Sequence, residues 1–188
     1  MAKAVLISIR PEWVSKILSR EKTLEVRKNR PNLNPPFKCY IYCARGRKPW
    51  VLDGVPGIRQ DGHVVAEFEC DKITWLTHIG FSGRSGINLA AMKNHYTIDD
   101  SFDFSESCLT TLRLEKYLDG GDGYAWHISD LKIYETPKEL REFHTWKKCK
   151  SCSKSGYEST ACIYDENCIV PAVITKAPQS WCYVEELK

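Results

Sequence analysis

The feature that most constrains the fold is a segment in which an amphipathic helix gives way to a strand of alternating apolar and charged side chains. Residues 11–19 begin with proline, which suits the first turn of a helix, and carry an apolar stripe at Val14, Ile17 and Leu18. Residues 23–28 follow as a strand that contains Leu-Glu-Val-Arg. Because neighbours along a strand point to opposite faces, the apolar pair should anchor a core and the charged pair should line a surface or a cleft.

Lys22, Glu25 and Arg27 therefore bring three charges into six residues. Lys22 lies at the turn that enters the strand, close enough to share the same cleft. The residues alone leave two interpretations open. The charges form either an exposed ion pair of little energetic value beside a solvated lysine, or a functional cluster.

The pattern Lys-x-x-Glu-x-Arg, placed after a unit that begins Ile-Ser-Ile-Arg-Pro-Glu-Trp, resembles the signature of the ASCH family, a branch of the PUA-like β-barrels. The usual form opens with Gly-x-Lys, and Arg20 stands here at the glycine's position. Further segments resemble strands of that family, at residues 39–43, 64–68, 126–131 and 178–184.

The resemblance and the many short strand-like segments predict an α+β fold. The expected architecture is a small PUA-like mixed β-barrel with a few short peripheral helices and a zinc-knuckle-like insertion. A chain of this size suits one domain over residues 1–188. Two insertions are expected, a helical and loop segment at 77–122 and a cysteine-rich segment at 144–177.

Local patterns give finer expectations after residue 77. Residues 87–92 are predicted to be a short helix, and residues 105–118 a longer one with an apolar face. Residues 124–134 are predicted to be a single strand. A helix of one or two turns is expected from Pro137 to Phe143.

Composition narrows the class of protein. No apolar run approaches the roughly 18 residues of a membrane span, and the first residues are too quickly charged for a signal peptide. A cytoplasmic protein with no membrane partner is therefore expected. In that reducing compartment, nine cysteines argue against a disulfide framework.

Charge is unevenly distributed along the chain. Residues 1–50 hold 12 Lys/Arg and 3 Asp/Glu, a balance of +9, whereas the remaining residues hold 15 and 21, a balance of −6. If the basic part is also clustered in space, it forms a face that attracts phosphates. The alternative is an ordinary solvated surface.

Four of the nine cysteines fall within 20 residues. Such a cluster predicts a structural zinc site, because four thiolates can complete a tetrahedral shell and leave no open position for water. Nearby lysines would offset the thiolate charge, and zinc would stabilise a segment with few core residues. The alternative is a loop of unliganded thiols, and His144 is a substitute ligand. The expected ligands are Cys149, Cys152, Cys162 and Cys168.

The ASCH resemblance implies a cleft for a nucleic acid, with RNA or a modified nucleotide as the expected partner and DNA as the alternative. Lys22 and Arg27 would donate hydrogen bonds to phosphates or base edges, and Glu25 would orient Arg27 or accept from a base. Either of two tryptophans could stack on a base, although core packing is the alternative for both. The full set of candidate residues is Arg10, Lys22, Glu25, Arg27, Lys28, Trp126, His127 and Trp181.

Two other functions are kept open. The resemblance also implies hydrolases that act on RNA or on an acetylated nucleoside, in which Lys22 and Glu25 would serve as the catalytic pair. The acetylated-nucleoside enzymes use a threonine where this chain has Glu25, and Thr23 is out of place, so binding without catalysis is favoured. A protein-interaction adaptor built on the two insertions is the remaining alternative.

The zinc hypothesis predicts about one equivalent of zinc per purified chain. Replacing Cys152→Ser should remove the metal and the order of this segment together, because one ligand of a tetrahedral shell is lost. Elemental analysis combined with limited proteolysis checks both effects. Resistance of residues 149–168 to proteolysis in a metal-free protein would contradict the hypothesis.

Overall fold

The computed structural model describes residues 2–46, 61–80, 87–148 and 169–187. In chain order the elements are β1 Lys3–Ile9, α1 Pro11–Leu18, β2 Leu24–Arg27, β3 Phe37–Cys43, β4 Val64–Cys70, β5 Ile73–Gly80, β6 Ile87–Met92, α2 Thr111–Leu118, β7 Gly123–His127, β8 Ser129–Lys138, β9 His144–Lys148, β10 Ile169–Val173 and β11 Trp181–Glu185. Short 3-10 turns occupy Phe104–Ser107 and Leu140–Glu142.

A five-stranded sheet in the order β11-β1-β3-β4-β8 forms one half of the molecule. Strands β1 and β3 are parallel, and α1 connects them through the motif segment. The predicted stripe on α1 is confirmed, since Val14, Ile17 and Leu18 pack into the apolar cluster of this sheet.

The motif strand β2 belongs to a second sheet of four strands, in the order β2-β7-β5-β6. Leu24 and Val26 join an apolar cluster with Leu114 and Leu118 of α2. The predicted alternation is therefore confirmed: the apolar side chains of β2 hold the core, which leaves Glu25 and Arg27 on the other face.

Strands β9 and β10 form a separate antiparallel pair, in which Lys148 lies opposite Ile169. The described residues that flank positions 149–168, Lys148 and Ile169, are thereby adjacent. The four predicted zinc ligands, at 149, 152, 162 and 168, lie outside the described residues. Within the described part of the chain, no three His, Cys, Asp or Glu side chains form a group that could hold a metal ion.

Several local predictions were wrong. Residues 87–92 form strand β6, because the long edge of β5 pairs with them over six residues and overrides a local pattern too short to decide. Residues 105–118 divide into a 3-10 turn and α2, and Thr110 caps α2 by accepting a hydrogen bond from the Arg113 N–H. The segment 77–122, predicted to be an insertion, thus contributes a strand to the motif sheet.

Within residues 124–134, where a single strand was predicted, the chain passes from the motif sheet to the five-stranded sheet. Strand β7 pairs with β2 and β5, whereas β8 pairs with β4 in the other sheet. The predicted single strand 124–134 is therefore two strands, separated at Ile128. The helix expected after Pro137 is only a 3-10 turn, because β8 continues to Lys138.

The predicted α+β class is confirmed. The strand ladders of the described residues form three sheets that are not joined into one hydrogen-bonded ring. Across the described ranges, no helix has the length and hydropathy that crossing a membrane requires.

Candidate functional site

A cavity of about 1090 Å³ lies against the charged face of the motif strand, between the end of β1, the start of α1, α2 and the segment before β11. The described residues that line it are Ser8, Ile9, Arg10, Trp13, Lys22, Glu25, Val26, Arg27, Tyr42, Ala44, Arg45, Gly62, Leu109, Arg113, Tyr117, Glu139, Leu140, Arg141, Thr175, Lys176, Ala177, Pro178, Gln179 and Ser180. The three charged motif residues therefore meet at one wall, as the sequence predicts.

Lys22 is 2% exposed, and all three of its ammonium protons have a nearby acceptor. Nζ donates to the Leu24 carbonyl at 2.5 Å and to the Ser107 carbonyl at 2.8 Å, and it lies 3.3 Å from Glu25 Oε2. The Trp13 ring centroid is 5.7 Å from the same nitrogen. Lys22 is thus a buried tether between β2 and the turn before α2, and it has no proton left for a ligand.

Glu25 and Arg27 continue this network on the other side. Glu25 Oε1 lies 3.0 Å from Arg27 Nη2, which also donates to the Ser8 carbonyl at 2.7 Å. Arg27 Nη1 reaches Ser180 Oγ at 3.3 Å. The guanidinium therefore joins β2 to the end of β1 and to the residue before β11. Its Nε is buried and has no hydrogen-bond partner among the described residues.

The cavity lining as a whole, with the motif residues included, is strongly basic. Seven Lys/Arg but only two carboxylates occur among the described lining residues. Lys22 and Arg27 are committed to Glu25, and the second carboxylate, Glu139, lies 3.0 Å from His63 Nε2. Four exposed cations of this wall have no side-chain hydrogen bond or ion pair within the described part of the chain: Arg10, Arg113, Arg141 and Lys176.

Neither tryptophan proposed for base stacking lines the cavity. Trp126 is fully buried in the core, where it is the cross-strand partner of Glu25 and packs edge-on to Phe37 at 6.0 Å. Trp181 packs against Trp126, and its Nε1 donates to Asn29 Oδ1 at 2.8 Å. Core packing, the alternative considered for both rings, accounts for these positions.

His127 and Lys28 are also placed differently from the expectation. His127 lines a second cavity with Thr23 and Glu106; its Nε2 lies 3.1 Å from Thr74 Oγ1, and burial lowers its pKa. Lys28 is exposed and is not among the residues that line the basic cavity. The candidate residues that the structure brings together there are Arg10, Lys22, Glu25 and Arg27.

Sequence reasoning missed the cations that come from distant segments, namely Arg113, Arg141 and Lys176. Arg45 belongs to the basic first 50 residues but was not among the candidate site residues. Of the segments that carry these cations, only α2 has a sequence pattern that could have identified its cavity residues. Leu114 and Leu118 mark its core face, and each is preceded by the residue that lines the cavity, Arg113 and Tyr117.

Comparison with known proteins identifies the fold of this chain through solved structures. No protein-family model matches the chain, and no curated protein matches its sequence. Among solved structures, an ASCH protein from Zymomonas mobilis matches 97% of this chain and 88% of its own, with a TM-score of 0.53 and 16% identity. A tyrosine-to-phenylalanine variant of that protein matches 98% of this chain and 92% of its own, with a TM-score of 0.54 and 16% identity. This chain has the ASCH fold.

The fold predicted from the Lys-x-x-Glu-x-Arg motif is thereby confirmed over nearly the whole length of both chains. In this ASCH fold the motif strand forms one wall of the basic cavity, and α2 and the segment before β11 form others. An identity of 16% supports the shared fold alone, so the use of the cavity has to be argued from its own geometry.

The geometry of the motif predicts that Glu25→Gln destabilises the fold by about 3–5 kcal/mol. The substitution leaves two buried cations without the carboxylate between them, and removing one partner of a buried ion pair has costs of this order. The free energy of unfolding in urea measures the effect.

The exposed pair Lys16–Glu21, at 3.2 Å, supplies a matched control. Glu21→Gln should leave the free energy of unfolding nearly unchanged, because solvent screens an exposed pair. If Glu25→Gln and Glu21→Gln changed the free energy of unfolding equally, the prediction would be wrong. The buried charges of the motif would then stabilise the fold no more than an exposed ion pair does.

Proposed function

We propose that this protein binds single-stranded RNA in the basic cavity beside β2. The observation that carries the proposal is the imbalance of seven cations against two carboxylates among the described residues that line one cavity. An RNA strand presents a phosphate at every nucleotide, and a groove that neutralises several phosphates gains affinity as counterions are released.

The charged residues of the cavity would have two different roles, one structural and one in ligand binding. Lys22, Glu25 and Arg27 pair their charges with one another, so their main role would be to build a rigid wall. The exposed cations would contact phosphates, since their donors are not engaged by other described residues. Arg10 comes from the basic first quarter of the chain, whereas Arg113, Arg141 and Lys176 come from later segments.

Arg27 would make one direct contact with the ligand. Its Nε–H is buried and unpaired within the described residues, and such an unmet donor costs about 1–3 kcal/mol. A base or phosphate oxygen that accepted this proton would remove that cost. Glu25 would hold the guanidinium in place for this contact.

The charge of the cavity favours a short strand over a single nucleoside. Its volume of about 1090 Å³ lies near the upper end of the range of roughly 300–1,000 Å³ for small-ligand pockets, so it can hold more than one nucleotide. Cations on several of its sides fit a ligand with several phosphates better than a neutral nucleoside. The ASCH resemblance favours RNA over DNA as the partner.

Binding without hydrolysis fits the contacts of the motif best. General acid–base catalysis needs a side chain that can exchange a proton with the substrate, but Lys22 donates to two carbonyls and is 2% exposed. Glu25 has a cation at each carboxylate oxygen. The Thr23 hydroxyl donates to Glu106 Oε2 at 2.7 Å in the second cavity, away from the basic wall.

A structural zinc ion held by Cys149, Cys152, Cys162 and Cys168 remains part of the proposal. Its support is the cysteine spacing, together with the pairing of Lys148 and Ile169 that brings the ends of the segment together. Four thiolate ligands would give this zinc a structural role.

The proposal predicts salt-dependent binding of a labelled single-stranded RNA of about twelve nucleotides. For single strands, log Kd should change with log salt by roughly 0.7 for each phosphate contact. Arg10→Gln and Lys176→Gln should each weaken binding and lower the slope by roughly 0.7. Fluorescence anisotropy between low and moderate salt measures both quantities.

Lys132→Gln is the matched control, because Lys132 is 70% exposed but does not line the cavity. Its slope should equal that of the unmodified protein, and DNA of the same sequence should bind more weakly than RNA. The proposal would be wrong if the affinity for RNA did not change with salt concentration. It would also be wrong if Arg10→Gln, Lys176→Gln and Lys132→Gln had the same effect on binding.

A further inference from the structure

Helix α2 presents an aromatic ring and a cation to the basic cavity from one face. Arg113 and Tyr117 are four residues apart, so they are neighbours on the helix surface, and both line the cavity. Leu114 and Leu118 fix the orientation of the helix by packing into the core beneath β2. The position of the ring over the cavity therefore follows from the core contacts of α2.

Tyr117 lines the cavity and is partly exposed. The side chain is 40% exposed and belongs to none of the apolar core clusters of the described residues. Lys28 Nζ lies 5.6 Å from the ring centroid, and Lys28 does not line the cavity. Tyr117 therefore has exposed surface left for a ligand in the cavity that it lines.

The chemistry of this ring suits an uncharged, planar partner. Burial raises the pKa of the Tyr117 hydroxyl, an effect that the nearby Arg27 only partly offsets. The phenol therefore stays neutral at physiological pH and does not repel a phosphodiester. Aromatic rings beside basic residues are the usual stacking platforms for unpaired bases, and such stacking tolerates any base.

We propose that Tyr117 stacks on one unpaired base of the RNA while Arg113 binds the phosphate beside that base. This inference rests on the proposed function and assigns a base subsite to the same cavity. The sequence predicted that Trp126 or Trp181 would stack on a base. We assign this role to Tyr117 because it lines the cavity. Because stacking does not distinguish the bases strongly, the subsite should add affinity rather than sequence specificity.

The test compares three variants for binding of the twelve-nucleotide RNA. Tyr117→Leu should weaken binding roughly 5- to 50-fold without changing the salt slope, since stacking of one base carries no phosphate contact. Tyr117→Phe should stay within about twofold of the unmodified protein because it keeps the ring. Tyr96→Leu is the matched control, as Tyr96 is 96% exposed and does not line the cavity. Thermal unfolding of each variant checks that the fold is intact.

An RNA of the same length that lacks all its bases separates stacking from a general effect on the fold. Removal of the bases should weaken binding to the unmodified protein more than to Tyr117→Leu, which has already lost the platform. If the unmodified protein binds RNA with the expected salt dependence but Tyr117→Leu binds equally well, the stacking subsite is wrong and the proposed function stands. If the unmodified protein binds no RNA, both are wrong.

Discussion

The chain of buried charges Lys22–Glu25–Arg27 is the interaction on which the site depends. One carboxylate lies between two cations, at 3.3 and 3.0 Å, and all three residues are less than 10% exposed. Burying charges is costly unless every proton and lone pair finds a partner. Here the carbonyls of Leu24, Ser107 and Ser8 supply the partners that the carboxylate alone cannot.

This network also explains how distant parts of the chain come to share one cavity. Lys22 fixes the turn that precedes α2, and Arg27 fixes the end of β1 and the residue before β11. The same segments carry Arg10, Arg113 and Lys176 into the wall. A motif whose charges are paired with one another can thus position other residues that form the binding surface. The signature residues would be needed mainly for the shape of the cavity, and the unpaired cations would provide attraction for a phosphate backbone.

The local part of this site was predictable from sequence, because the two-residue period of a strand directly separates Leu24 and Val26 from Glu25 and Arg27. The resemblance of the motif likewise predicted the fold. Strand β6 was not predictable, since six mostly apolar residues carry no decisive period and the edge of β5 determines their conformation. The cavity cations at 113, 141 and 176 were missed because tertiary packing, not local pattern, brings them beside β2. Trp126 was misjudged for the same reason: packing against Phe37 and Trp181 buries its ring in the core.

A crystal structure of the protein with a short single-stranded RNA would test the division of roles in the cavity most directly. The predicted result has phosphate oxygens within hydrogen-bond distance of Arg10, Arg113, Arg141 or Lys176. Lys22 Nζ should still donate to the carbonyls of Leu24 and Ser107. Phosphate bound to Lys22 Nζ with those two hydrogen bonds broken, or RNA bound on a surface outside the cavity, would contradict it.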